Sequence, residues 1–247
     1  MRKNVIILTS GLSGSSVLTG LIARAGYWPG ETTFRKQHYE IYETYENQRL
    51  IDLNRQLFQG AGYTGNYQVE FSAPAMQEIA ALEGKIDCRE YRSFLQECDA
   101  HRPWIWKDPR LWLTIRFWKK FLDYSHCQFL LLTRGAMQSW VSATLRRQIM
   151  TYRYSKTYEG EIRQSITEFL DGERLPYLHV EYERLICRPD DTIAELNHYL
   201  GTELKVVDLS KVYHKPLYRS PRNSLGKHVK ASLIYLKNYS ERLDVSA

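Results

Sequence analysis

Short continuous apolar runs alternate along the chain with longer segments in which apolar residues recur every three or four positions. Four runs predict buried strands, because each is short and bounded by small or polar residues. They lie at residues 5–8, 104–106, 129–132 and 177–180. The helical spacing that follows each run predicts an α/β fold with a central parallel sheet and helices on both faces.

Residues 34–103 interrupt this alternation. Leu50, Leu53 and Leu57 have helical spacing there, and a glycine-rich turn follows at residues 60–66. We therefore expect a helical insertion over the sheet. With 247 residues and neither an internal repeat nor a low-complexity linker, residues 1–247 are predicted to form one domain.

The first strand leads into a loop of small residues at 9–16, Thr-Ser-Gly-Leu-Ser-Gly-Ser-Ser, and then into an amphipathic helix. Glycines let backbone N–H groups approach a phosphate, serine hydroxyls add donors, and the helix N-terminus adds a partial positive charge. The architecture is therefore P-loop-like. Ser15 follows Gly14, however, so the Gly-Lys-[Ser/Thr] ending of a nucleoside triphosphatase is missing.

Cations follow two of the other strands. Lys107 begins the sequence Lys-Asp-Pro-Arg, and Arg134 follows the third strand, with Ser142 eight residues later. The carboxyl ends of parallel strands meet at one edge, where α/β proteins bind ligands, so we expect these side chains near the loop. Ser139 is an alternative partner for Arg134.

Composition narrows the class of partner. A net charge of +6 with scattered basic residues favours a small polyanionic ligand over nucleic acid. The four cysteines lack a Cys-x-x-Cys pair, so neither a metal site nor a disulfide framework is expected. The first apolar run is too short for a signal peptide or a membrane span, which predicts a cytoplasmic protein without a transmembrane segment.

Four motifs in register resemble the sulfotransferase superfamily, in particular bacterial members that carry Lys-Asp-Pro-Arg. These motifs are residues 10–16, residues 106–110, Arg134 with Ser142, and residues 182–185 followed by Pro189 and Leu200-Gly201. The resemblance implies transfer of a sulfuryl group from 3′-phosphoadenosine 5′-phosphosulfate (PAPS), without a metal. The acceptor would be a hydroxyl or amine of a small molecule, lipid or carbohydrate, and residues 34–103 would form the acceptor side.

The resemblance also implies roles for individual residues. The 5′-phosphosulfate would be bound by Ser13, Gly14, Ser15 and Ser16. Arg134 and Ser142 would bind the 3′-phosphate, and Lys107 would stabilise the bridging oxygen. Many relatives carry a cation in the loop where this chain has Leu12.

Two glutamates compete as the general base. Glu31, in Pro-Gly-Glu, resembles the proposed base of tyrosylprotein sulfotransferases, and we prefer it. Glu46, in Glu-Asn, matches a pattern of the bacterial members. His38 and His101 are further candidates, because the imidazole group has an intrinsic pKa near neutral pH. The motif at residues 182–185 is assigned to packing.

Two other functions stay open. The chain could be a catalytically silent nucleotide-binding protein, because Leu12 replaces the loop cation. It could also be a kinase-like phosphoryl-transfer enzyme, although the missing loop lysine opposes this. The basic C-terminal residues either form a solvated face or fold over the nucleotide; they include Arg219, Arg222, Lys227, Lys230 and Lys237.

Overall fold

The computed structural model describes residues 2–37, 41–213 and 225–244. The strands are β1 (Asn4–Leu8), β2 (Thr33–Gln37), β3 (Ile41–Asn47), β4 (Ile105–Lys107), β5 (Cys127–Thr133) and β6 (Tyr177–Glu181). The first helices are α1 (Ser15–Ala23), α2 (Gln48–Gly60), α3 (Ala73–Ala80), α4 (Arg89–Ala100), α5 (Leu111–Trp118) and α6 (Ala136–Leu145). The others are α7 (Tyr152–Gly172), α8 (Tyr182–Cys187), α9 (Pro189–Leu200), α10 (Val206–Ser210) and α11 (Leu225–Lys237).

Four of the strands form a parallel sheet in the order β4-β1-β5-β6. Ile7 pairs with Lys107 on one side of β1 and with Leu130 on the other. The chain passes from β1 to β4 on one side and then crosses to β5 on the other, so the topological switch point lies at β1. Ligands of such sheets bind outside the carboxyl end of the strand at this point, which here is residues 9–16.

Both faces of the sheet are covered, as its apolar strands predicted. Ile6 packs on one face in a cluster with Trp106, while Ile7 packs on the opposite face with Leu21. The first cluster contains side chains of α2 to α5 and α7, and the second contains side chains of α1 and α8 to α10. The predicted α/β fold with a central parallel sheet is therefore confirmed.

The segment 34–103 begins with a feature that the sequence did not predict. Strands β2 and β3 form a separate antiparallel sheet, and the predicted helical pattern appears only from α2 onwards. Charged side chains occupy much of both strands, for example Arg35 paired with Glu43, so the apolar alternation that marks a strand is weak. Asn47 ends β3 and caps α2, because its side chain accepts hydrogen bonds from the backbone of Arg49 and Leu50.

Candidate active site

The loop after β1 contains three residues with left-handed backbone conformations. Gly11, Leu12 and Gly14 all have positive φ, at 86°, 50° and 79°. The hydroxyls of Thr9 and buried Ser13 lie 2.5 Å apart and fix the base of the loop. Successive residues in such conformations turn backbone N–H groups toward one point, where an anion can bind.

Gly14 is required by its surroundings as well as by its φ. A Cβ atom at this position would lie 2.1 Å from the ring of Tyr182. Gly14 is followed by α1, which begins with buried Ser15 and partly buried Ser16. The tyrosine ring therefore closes one side of the loop at the start of the helix.

Lys107 and Glu46 form a buried ion pair beside this loop. The Lys107 Nζ atom lies 2.6 Å from Glu46 Oε1, and the two side chains are 0% and 9% exposed. Lys107 ends β4, next to β1, while Glu46 reaches it from the second sheet. Burying two charges costs several kcal/mol of desolvation per ion, so the pair is poorly explained by stability alone.

The residue after Lys107 holds the surrounding framework. Asp108 Oδ1 accepts hydrogen bonds from the backbone and the guanidinium of Arg110, at 2.9 and 2.8 Å. Its Oδ2 accepts from Asn54 Nδ2 at 2.8 Å, and Asn54 Oδ1 accepts from Trp118 Nε1 at 2.8 Å. These contacts tie the end of β4 to α2 and α5 and thereby fix the position of Lys107.

Arg134 and Ser142 are brought together as the sequence suggested. Arg134 Nη1 donates to Ser142 Oγ and to the Leu12 carbonyl, both at 2.9 Å. The same guanidinium lies 3.4 Å from Glu183 Oε1 and stacks 5.0 Å from the ring centroid of Tyr182. One arginine therefore connects the loop with α6 and α8.

Tyr182 and Glu183 belong to this site, although sequence reasoning had assigned them to packing. Besides its contact with Arg134, Glu183 accepts a hydrogen bond from the backbone of Gly135 at 3.0 Å. Both residues directly follow β6, so the strand-end rule that singled out Arg134 would also have found them.

Glu159 is a second carboxylate near Arg134 that the sequence did not reveal. It lies in α7, where burial raises the pKa of its carboxyl to about 7, while a hydrogen bond with Ser139 and the charge of Arg134 lower it. Ser139, the alternative partner considered for Arg134, thus interacts with Glu159 instead. In contrast to the strand-end residues, Glu159 had no motif that could mark it.

The candidate bases differ in burial and in their distance from the proposed catalytic lysine. Glu46 contacts Lys107, whereas Glu31 is exposed in the turn before β2. His101 is exposed and stacks on Trp28 with ring centroids 4.4 Å apart. His38 lies outside the described residues, as do Arg219 and Arg222 of the basic tail.

Leu12 has a packing role that explains an apolar residue at the tip of the loop. Its side chain packs against a small cluster that contains Val69, Ala143 and Met150. The cluster joins the loop to α6 and to the turn before α3. Since Leu12 carries no charge, the cations near the loop come from other elements, such as Arg134, which donates to the Leu12 carbonyl.

Within the described part of the chain, no group of three or more histidine, cysteine or carboxylate side chains is arranged to hold a metal. No helix among the same residues is both apolar enough and long enough to cross a lipid bilayer.

Comparison with known proteins identifies the fold. No protein-family model and no curated protein matches the sequence. Among solved structures, the sulfotransferase domain of the olefin synthase from Synechococcus PCC 7002 is similar, with a TM-score of 0.54 and 18% identity over 91% of this chain and 84% of that domain. The sulfotransferase domain from the curacin biosynthetic pathway has a TM-score of 0.51 and 17% identity, over 90% and 81%. The chain therefore has the fold of sulfotransferase domains.

Proposed function

We propose that this chain is a sulfotransferase that moves the sulfuryl group of PAPS to a hydroxyl or amine. The observation that carries the proposal is the buried Lys107–Glu46 pair beside a loop shaped for phosphate. It combines an acid-base group and a fixed cation at the edge of the sheet where ligands bind. The likeness of fold to sulfotransferase domains supports this reaction class.

The donor would bind along the edge of the sheet. Backbone N–H groups of Ser13 to Ser16 would hold the 5′-phosphosulfate, and Arg134 with Ser142 would hold the 3′-phosphate. Among the residues that the structure describes, no hydrogen bond uses Nη2 of Arg134, so this nitrogen has donors left for a phosphate oxygen. Tyr182 would keep the guanidinium in place by stacking.

The reaction needs one base and one cation. The acceptor oxygen or nitrogen attacks sulfur, the bond from sulfur to the bridging oxygen breaks, and 3′-phosphoadenosine 5′-phosphate (PAP) leaves. Glu46 would take the acceptor proton, and Lys107 would stabilise charge on the bridging oxygen. When Glu46 takes the acceptor proton it becomes neutral. The charge of Lys107 is then available to stabilise the leaving group.

Glu46 is the base in this proposal because of its contact with Lys107, in place of Glu31, which the sequence favoured. The second sheet, which carries Glu46 to the site, and helices α2 to α4 would supply the acceptor side. A silent nucleotide-binding protein would bind the same ligand, so turnover distinguishes it from the enzyme.

The proposed donor site is tested by calorimetry with PAP and adenosine 5′-phosphate, which differ by the 3′-phosphate. Hydrogen bonds to charged groups contribute about 1.5–3 kcal/mol, so PAP should bind roughly 10- to 100-fold more tightly. Arg134→Ala should remove this preference. Arg184→Ala is the matched control, because Arg184 lies in α8 and pairs at the surface with Glu195. Equal affinities of the unmodified protein for the two nucleotides would refute the assignment.

A further inference from the structure

Helix α11 holds a row of aliphatic side chains at the surface of the molecule. The row consists of Leu225, Val229, Leu233 and Leu236, which are 75%, 54%, 63% and 66% exposed. Successive members are four, four and three residues apart, and this spacing places them along one face of a helix. Single exposed apolar residues are ordinary, whereas a contiguous exposed patch marks a surface that contacts a partner.

The opposite side of α11 attaches the helix to the rest of the protein. Ala231 is fully buried, and Tyr235 packs on Trp140 of α6 with ring centroids 5.6 Å apart. Other side chains than those of the aliphatic row therefore hold α11 against α6. The row is left available for a partner.

The carboxylate and ammonium groups along α11 are distributed unequally. The helix contains Lys227, Lys230 and Lys237 but no aspartate or glutamate, and the first carboxylate after it is that of Glu241. Lys230 and Lys237 are exposed and seven residues apart, so both lie on the same side of the helix. Each of these two lysines directly follows a residue of the aliphatic row. The row is therefore bordered by positive charge, which suits an anionic partner.

Size and charge decide which anionic partner fits. A second copy of the chain that used the same helix would bring its lysines against identical lysines, and such like charges repel. Stable protein–protein interfaces involve roughly 20–30 residues on each side, many more than a row of four. A lipid surface needs no complementary shape, because binding strengthens with the apolar area that enters the boundary between head groups and acyl chains.

We propose that α11 docks the protein onto the surface of an anionic lipid bilayer. The helix lies parallel to the surface, with the aliphatic row inserted below the head groups. The stems of Lys230 and Lys237 extend along the apolar surface, so that their ammonium groups reach the lipid phosphates. With 13 residues, α11 is too short to span the bilayer and stays in the interface.

Docking through α11 also determines which part of the protein lies next to the bilayer. Helix α6 carries Ser142 and packs directly against α11, on the side opposite the aliphatic row. A residue of the proposed donor site is therefore carried by the helix beneath the docked surface. The docking itself does not depend on the proposed reaction, because it uses only the exposed face of α11.

Flotation of the full chain with lipid vesicles tests the proposal. Vesicles of equimolar phosphatidylcholine and phosphatidylglycerol are anionic, whereas vesicles of phosphatidylcholine alone have no net charge. Each lysine near an anionic surface strengthens binding roughly fivefold. The unmodified protein should therefore bind the anionic vesicles roughly tenfold or more tightly than the uncharged ones.

Two double variants separate the apolar from the ionic contribution. Leu233→Gln/Leu236→Gln removes half of the aliphatic row and keeps good helix formers in α11. Lys230→Gln/Lys237→Gln removes the two lysines that border the row. Each double variant should weaken binding to anionic vesicles roughly tenfold or more.

The matched controls lie in and beside α10, which packs against α1 and α9. Val207→Gln removes an aliphatic side chain that is 55% exposed, and Lys205→Gln/Lys211→Gln removes the same charge as the lysine variant. Charges more than a Debye length from the bilayer are screened by salt. Both controls should therefore bind anionic vesicles within about twofold of the unmodified protein.

The proposal is overturned if the unmodified protein does not bind anionic vesicles, or if the leucine and lysine variants bind them as tightly as the controls. A dimer in sedimentation velocity that Leu233→Gln/Leu236→Gln abolishes, without vesicle binding, would assign the row to a second copy instead. All four substituted side chains are exposed, so both double variants should keep the Tm of the unmodified protein. If the leucine variant nevertheless unfolds, the lysine variant still decides the proposal.

Discussion

Removing one member of the Lys107–Glu46 pair should destabilise the fold strongly. Lys107 is fully buried and Glu46 is 9% exposed, so Glu46→Gln leaves an ammonium without a countercharge. Breaking a buried pair in this way costs about 3–5 kcal/mol. For a chain of this length each kcal/mol lowers the Tm by roughly 2–4 °C, which gives a decrease of roughly 6 to 20 °C.

Removing both charges should cost much less. The double variant Glu46→Gln/Lys107→Met buries no ion, and replacement of a buried pair by uncharged groups of similar volume is often neutral or stabilising. Urea unfolding of the unmodified protein, both single variants and the double variant gives a double-mutant cycle. We expect the double variant to be more stable than Glu46→Gln and inactive in sulfuryl transfer.

A surface pair provides the control for this cycle. Arg184 and Glu195 lie 2.8 Å apart, against 2.6 Å in the buried pair, but their side chains are 41% and 45% exposed. Glu195→Gln should change stability by less than about 1 kcal/mol. The reasoning is refuted if Glu46→Gln costs no more than Glu195→Gln, or if the two single effects simply add in the double variant.

Two further predictions concern the loop and Arg134. Gly14→Ala should weaken PAP binding, because the added Cβ would lie 2.1 Å from the Tyr182 ring. Gly26→Ala is the control, since Gly26 also has a positive φ, of +92°, but nothing lies within contact distance of its Cβ position. Equal PAP affinities of the two variants would contradict this packing argument. Burial raises the pKa of Glu159 from its ordinary 4.5 to about 7. Between these two pH values the Glu159 carboxyl keeps its proton in the folded chain and has lost it in the unfolded chain. Stability from this group therefore decreases as the pH rises from 4.5 to about 7, and Glu159→Gln should gain Tm over the unmodified protein more at pH 8 than at pH 5. A gain that is equal at both pH values would show that Glu159 is not responsible.

Sequence reasoning located the residues at strand ends well, because the topology of a parallel sheet brings those ends together. Lys107 and Arg134 each follow an apolar run, and the structure places both beside the loop after β1. The same rule applied to β6 would have included Tyr182 and Glu183. Tyrosine and glutamate after a strand also suit packing, so the sequence pattern alone does not assign these two residues to the site.

Residues carried by the second sheet could not be placed from the sequence. The position of Glu46 depends on the pairing of β2 with β3 and on the cap at Asn47, and polar strands give little periodic signal. The sequence therefore gives both Glu31 and Glu46 as candidate bases, and it does not show which of the two lies near Lys107.

Acceptor-dependent release of PAP from PAPS tests the central claim most directly. The protein is incubated with PAPS and a set of phenol, alcohol and amine acceptors, and PAP is quantified by chromatography. The account predicts that at least one acceptor accelerates PAP release, and that Lys107→Ala and Glu46→Gln each lose roughly 100-fold or more of this rate while Arg184→Ala keeps it. Full activity in either of the first two variants, or tight PAPS binding without acceleration by any acceptor class, would contradict it.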